Sequence, residues 1–250
     1  MIVANGIKII CDPVLCPVDT IHNYGFFKSK RISPPSFSSD DLQNVNIWLF
    51  THGHKDHCDF WTYKPIETGS KIIADLSASV QLKKLGIDNV QILQWGNKSA
   101  VTFQNGIKIV IESVPAVHGL GAFKGKSVGN GNGYMIDFFC SDKKFSVYTT
   151  GDTLPNQQTI NAIKNKSFDL VIANVGNAVV GKGLMAKVIG RITMNISDLV
   201  SFRKHLITKT LIPIHWDAFE HYKERDISEL CKLHEFSIIK QGVIVYLQNK

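Results

Sequence analysis

The sequence predicts an α+β protein in which sheets are covered by helices. Two observations carry that expectation. Asn-Gly pairs flanked by apolar runs, Asn5-Gly6 and Asn105-Gly106, mark tight hairpins between antiparallel strands in the earlier part of the chain. Apolar strand-like runs then alternate with helical stretches towards the end. There is no linker, internal repeat or low-complexity segment, so residues 1–250 read as one domain.

Taken in order, residues 1–10 read as two short strands around Asn5-Gly6, ending at Cys11-Asp12-Pro13. Residues 16–44 are irregular and polar, long for a loop, and read as a functional or covering segment. Residues 45–50 are short, β-branched and aromatic, as a buried strand should be. Residues 71–74 read as a strand and 77–85 as a helix closed by Gly86. Strands at 90–93, 101–103 and 107–114 follow, the last two flanking Asn105-Gly106. His118 then leads into residues 119–133, with six glycines and two lysines. A further hairpin, 134–139 with 145–150, ends in Gly151-Asp152-Thr153. Beyond it come a helix at 157–164, a buried strand at 170–173, a loop at 176–193, a helix at 197–205 and a strand at 211–214 running into His215. A helix at 226–234 and strands at 236–239 and 243–247 close the chain.

Composition excludes several classes. Hydrophobic residues make up 44% and charged residues 20%, enough for a packed core. No apolar run approaches the ~18 residues of a membrane span, and the N-terminus lacks the basic start of a signal peptide. The five cysteines form no Cys-x-x-Cys pair and read as reduced thiols of a cytoplasmic protein. The net charge of +7 leans towards an anionic small-molecule substrate, although lysines scattered over a solvated surface give the same count. No aromatic–basic stripe points to stable nucleic-acid binding; a homo-oligomer is left open.

The chemistry concentrates in Thr51-His52-Gly53-His54-Lys55-Asp56-His57, entered directly from the apolar run 45–50. Residues two apart on extended chain point the same way, so His52 and His54 can hold one metal ion together. Asp56 and His57 follow after the chain turns and can face a second. Imidazoles and carboxylates suit zinc, manganese or iron. The competing reading, a histidine-rich surface loop, does not account for Asp56 or for the strand immediately before it. His118, Asp152 and His215 each follow an apolar run in the same way and complete the set. Cys58 is a further candidate ligand or, more simply, a small buried residue. His22, His205 and His234 read as ordinary polar residues.

These motifs, with Asp12 after the first strand pair, Thr150-Gly151-Asp152-Thr153 and Pro213-Ile214-His215, occur in the order of the metallo-β-lactamase superfamily, which the chain resembles over nearly its whole length. The resemblance implies a four-layer αββα sandwich with a dinuclear site at its edge. It assigns His52, His54 and His118 to one divalent ion, Asp56, His57 and His215 to the other, and Asp152 to both, with Asp12 steadying the ligands. Zinc is the first expectation for the two ions, manganese or iron the alternatives. Asp12-Pro13-Val14, Arg31-Ile32-Ser33-Pro34-Pro35, Asp59 and His215-Trp216 resemble the branch of ascorbate-6-phosphate lactonase and N-acylphosphatidylethanolamine phospholipase D. The chain departs from that branch in a shortened first strand and in Asp217, where glycine is usual.

The implied activity is metal-dependent hydrolysis, a metal-bridged hydroxide cleaving an ester, lactone or phosphodiester bond in a small, anionic substrate. Asp56, Asp152 and His221 are the catalytic candidates, His221 as a substrate contact or proton donor. Lys124, Lys126, Lys182, Lys187 and Arg191 lie in rim loops and could bind an anion, with solvated surface charge the simpler reading of any single one. A nuclease acting on nucleic acid and a di-iron redox protein are the alternatives on the same fold.

Overall fold

The structure is a computed structural model and describes residues 1–25, 27–119, 129–179, 190–224, 226–233 and 236–237. Two sheets face each other. The first runs β1 (Ile2–Ala4), β2 (Ile7–Cys11), β5 (Ile47–Phe50), β6 (Lys71–Ala74) and β7 (Gln91–Ile92) in that spatial order. The second runs β13 (Ile207–Ile214), β12 (Ser167–Asn174), β11 (Lys143–Thr149), β10 (Asn130–Cys140), β9 (Lys108–Val117) and β8 (Lys98–Thr102). Both are mixed. Hairpins give the antiparallel pairs, β1 with β2 and β8 through β11, whereas β5–β6 and β11–β12–β13 are parallel and joined by crossovers.

Side-chain alternation builds the layers. In β5, Ile47 and Leu49 point between the sheets, where they meet Ile109, Ile136, Val147 and Leu170 of the second sheet. Trp48 and Phe50 point the other way and pack with Ala78 and Leu82 of helix α1 (Leu76–Lys84). All four β5 residues are fully buried, so truncating Phe50 to alanine should cost about 3–5 kcal/mol. The outer face of the second sheet is covered by α2 (Gln157–Ile163), α3 (Ile196–Arg203) and α4 (Ser228–Leu233), through Ile163, Leu199, Phe202 and Cys231. The layer order is therefore helix, sheet, sheet, helix: a four-layer αββα sandwich.

The helices start where their sequence says they should. Asp75 caps α1 by accepting from the backbone N–H groups of Ser77 and Ala78, and Asn195 and Asp198 form a reciprocal capping box at α3. Some elements differ from the sequence expectation. Residues 16–44 contain a small hairpin, β3 (Ile21–Asn23) with β4 (Lys28–Lys30), whose polar strands carry no apolar alternation to reveal them. Strand β10 begins at Asn130, inside the glycine-rich stretch, because Gly131 and Gly133 continue the pairing with β9. The strand expected at 236–239 is described only at 236–237, which are not in a strand; its remainder, the strand expected at 243–247 and the last residue of the helix expected at 226–234 lie outside the described residues.

The consequence for function is a shared edge. The C-terminal ends of β5, β9, β12 and β13, and the turns after β2 and β11, lie beside one another. Loops at such an edge are held by the rigid sheets beneath them.

Candidate metal centre

Each edge turn delivers polar side chains. After β2, Asp12 adopts a left-handed conformation (φ 44°) and its carboxylate turns onto the loop after β5. Its Oδ1 accepts from the Thr51 backbone N–H at 2.8 Å; its Oδ2 accepts from Thr51 Oγ1 at 2.6 Å and from His57 Nδ1 at 2.9 Å. His57 Nε2 is thereby aimed at Asp152 Oδ2 (3.1 Å) and His215 Nε2 (3.0 Å). Asp152 is 1% exposed, and Asn174, the last residue of β12, donates to its Oδ1 at 2.8 Å.

The side chains fall into two adjoining groups. Ligand atoms of His52, His54 and His118 lie within 4.8 Å of one another, as do those of Asp56, His57 and His215. His52, His57 and Asp152 satisfy the same limit and link the groups. Asp152 Oδ2 faces His57 at 3.1 Å and His118 Nε2 at 4.0 Å, while its Oδ1 lies 3.6 Å from His215 Nε2. This one carboxylate therefore borders both.

Close backbone approach makes the crowding feasible. A Cβ on Gly131 would stand 2.9 Å from the Thr51 carbonyl and 3.0 Å from His52 Cβ. A Cβ on Gly176 would stand 2.3 Å from the carbonyl of His215, itself at φ 69°. Side chains at these positions would displace the histidines.

Several nitrogens are arranged as a cation would require. His118 Nδ1 donates to the Gly129 carbonyl at 2.7 Å, so its Nε2 carries the lone pair. That Nε2 is buried and has no hydrogen-bond partner among the described residues. His52 Nε2 and His54 Nδ1 stand 2.9 Å apart. Burial lowers His52 well below the ordinary imidazole value, with His57, His118 and His54 pushing the same way. Burial, aided by His54, brings His118 down to about 4. Burial likewise lowers His215. Neutral imidazoles with inward lone pairs are the form that binds metal. Burial opposes charge on His57 too, but Asp152 and Asp12 outweigh it and raise that histidine well above the usual value. Burial alone would raise Asp56 and Asp152. Instead the His221 hydrogen bond and charge hold Asp56 well below the carboxylate range, and His215 and His57 do the same for Asp152. The donor set thus fits divalent cations: lone-pair nitrogens and ionised carboxylates converge at a site from which water is largely excluded.

His221 sits behind Asp56. It is 6% exposed, its Nε2 lies 3.0 Å from Asp56 Oδ2, and its Nδ1 lies 2.7 Å from Ser29 Oγ in β4. Tyr222 was not foreseen from the sequence. Its hydroxyl donates to Asp56 Oδ2 at 3.0 Å and stands 2.7 Å from His215 Nε2. Asn174 was also missed, although it follows an apolar run just as His118, Asp152 and His215 do. Cys58 packs with Trp48, Phe50 and Ile72, and burial pushes its thiol up to about 12. Arg191 pairs with Asp198. Lys124, Lys126, Lys182 and Lys187 lie outside the described residues.

Comparison with known proteins agrees with this architecture. Residues 8–216 match the family described as the beta-lactamase superfamily domain, and the chain belongs to that superfamily. A metal-dependent hydrolase of Thermoplasma volcanium is 27% identical over 187 residues, which cover 74% of this chain and 71% of that protein. N-acyl-phosphatidylethanolamine-hydrolyzing phospholipase D 1 of Caenorhabditis elegans is 31% identical over 121 residues, covering 45% of this chain and 33% of that protein. The solved structure of isothiocyanate hydrolase from Delia radicum gut bacteria shares the fold, with a TM-score of 0.75, 21% identity, and coverage of 96% of this chain and 92% of that one. The fold is the metallo-β-lactamase fold, and the protein is a metal-dependent hydrolase.

Proposed function

We propose that this hydrolase cleaves a phosphodiester, ester or lactone bond in a small anionic molecule, using two divalent ions, zinc first among them. The single observation that carries this reading is the pair of adjoining donor groups with Asp152 between them. His52, His54 and His118 would hold one ion, Asp56, His57 and His215 the other, and Asp152 would serve both. Bound there, such ions lower the pKa of water and polarise the bond to be broken.

The chain's own residues do the remaining work. Asp12 fixes the His57 ring by accepting from Nδ1 while tying down Thr51. Asn174 orients Asp152. His221 and Tyr222 converge on Asp56 Oδ2, which holds that carboxylate in one rotamer. His221 is then a positioning residue, because Ser29 and Asp56 occupy both of its ring nitrogens. The Tyr222 hydroxyl, which donates to Asp56 and lies 2.7 Å from His215 Nε2, is the candidate for handing a proton to a departing oxygen.

The phosphodiester option draws support from the name of the Caenorhabditis elegans relative, and the anionic substrate from the net charge of +7. Five free cysteines fit a reducing, cytoplasmic location, and one catalytic domain fits the single sandwich. Among the described residues no helix is long and apolar enough to cross a membrane. The test is turnover of bis-(p-nitrophenyl) phosphate, a homoserine lactone, p-nitrophenyl acetate and a thioester by metal-loaded protein. Chelator-sensitive hydrolysis of the phosphodiester, lactone or ester is expected. Hydrolysis of the thioester alone, or activity that survives chelation, would overturn the reading.

A further inference from the structure

A second group of donors lies outside the centre described above. Cys16, His22 and Asp59 are 0%, 5% and 3% exposed. One ligand atom of each lies within 4.8 Å of those of the other two. Cys16 precedes the β3–β4 hairpin, His22 is the inward-facing middle residue of β3, and Asp59 follows two residues after His57.

Packing explains part of this arrangement. Asp59 Oδ1 accepts from the Thr62 N–H at 2.8 Å and from Thr62 Oγ1 at 2.6 Å, and its Oδ2 accepts from the Cys16 N–H at 2.8 Å. Three bonds leave Oδ2 with spare acceptor capacity. The His22 ring rests against Phe219, with centroids 5.4 Å apart. Packing does not explain His22 Nδ1, which is buried without any hydrogen-bond partner among the described residues. A bare buried nitrogen is destabilising unless something satisfies it. A cavity of about 280 Å³, lined by His22, Asp59, Lys55 and Trp61, gives solvent a way to the pair.

We propose that Cys16, His22 and Asp59 form a separate binding site for a thiophilic divalent cation of the zinc class. A thiolate, an imidazole and a carboxylate make a three-ligand zinc set, with the cavity supplying a water as the fourth. The charges balance: thiolate and carboxylate together neutralise a divalent ion. Arg31 stands 3.9 Å from Cys16 Sγ, and its guanidinium is held by the carbonyls of Val14 (2.9 Å) and Ser33 (2.6 Å). Its positive charge favours the thiolate form of Cys16, against the burial and the Asp59 carboxylate that raise that thiol. The site would act as a clasp, joining the β3–β4 hairpin to the loop that carries Asp56 and His57. Its sulfur ligand sets it apart from the catalytic groups, which offer only nitrogen and oxygen.

Cobalt(II) reports that difference, since only thiolate ligation gives an intense near-ultraviolet sulfur-to-cobalt band. The metal-stripped full chain is titrated with cobalt(II) alone. Wild type and His118→Ala should both develop the band, saturating at one equivalent of sulfur-bound cobalt. Cys16→Ala should lack it, and His22→Ala should weaken the cobalt affinity read from it by roughly tenfold or more. No band in the wild type would overturn the site, whatever the variants do. A band that persists in Cys16→Ala, or is unchanged in His22→Ala, would overturn it as well.

Discussion

The two donor groups of the proposed metal centre are built differently. Around His52, His54 and His118 the visible supports are neutral: Thr51 Oγ1 lies 3.0 Å from His52 Nδ1, and the Gly129 carbonyl accepts from His118 Nδ1. Around Asp56, His57 and His215 the supports are charged and interlocked: Asp12 and Asp152 on His57, His221 and Tyr222 on Asp56, and Tyr222 again on His215. Three neutral imidazoles bring no charge to offset that of a cation, whereas the second group brings a carboxylate of its own. The contrast teaches that, on the proposed reading, the second group would be the tighter half and the first would depend on its share of Asp152.

That dependence gives the largest expected effect. Asp152→Asn removes the charge both halves use, and an amide offers one neutral oxygen and a nitrogen that ligates poorly. Turnover should fall by more than roughly 100-fold, beyond the loss usual for an outer partner. Thermal unfolding should change little, because Asp152 lies at a strand end outside the apolar clusters. Near-normal turnover in a variant that keeps its metal would remove Asp152 from the centre.

Asp12→Asn comes next and acts chiefly on the second half, where Asp12 meets His57 directly, and on the first only through Thr51. The amide cannot balance charge on His57 and can present a donor where His57 Nδ1 needs an acceptor. Metal affinity of the second half should drop about 10–100-fold and that of the first half by clearly less, read by competition with a chromogenic chelator. Equal weakening of both halves would abolish the proposed asymmetry. Tyr222→Phe should be milder. It keeps the ring packed on Phe219 and removes one hydroxyl, for a loss of about tenfold in turnover concentrated in kcat. A pure rise in KM would place Tyr222 in binding instead.

The smallest effect concerns thiols. Burial pushes Cys16 and Cys58 up to about 12 and Cys231 to about 11, and holds Cys11 well above its usual range. At mildly alkaline pH these four stay protonated, so the half-exposed Cys140 should be the thiol of the folded chain that alkylates quickly, with all five reacting after unfolding. Mass mapping after a short iodoacetamide pulse checks this; rapid labelling of Cys58 would reopen a role for it near His57.

How far the sequence revealed this centre depends on the kind of residue. A histidine or aspartate placed directly after an apolar strand run is conspicuous, so His52, His54, Asp56, His57, His118, Asp152 and His215 stand out in the amino-acid sequence itself. Asn174 carries the same positional signal with a less reactive side chain and passes unnoticed. Tyr222 carries none, since a tyrosine near the chain's end reads as core. The layers followed from strand runs and Asn-Gly turns, but the β3–β4 hairpin has no apolar pattern. Gly131 and Gly133 read as loop because the close contacts that require glycine there come from segments distant in sequence.

The central claim, two adjoining half-sites with Asp152 between them, is tested most directly by counting ions. The measurement is elemental analysis of the Cys16→Ala chain, purified without chelator and saturated with zinc, beside the same chain carrying His118→Ala. The account predicts two ions per chain in the first protein and one in the second. A single ion in the first, undiminished in the second, would contradict it.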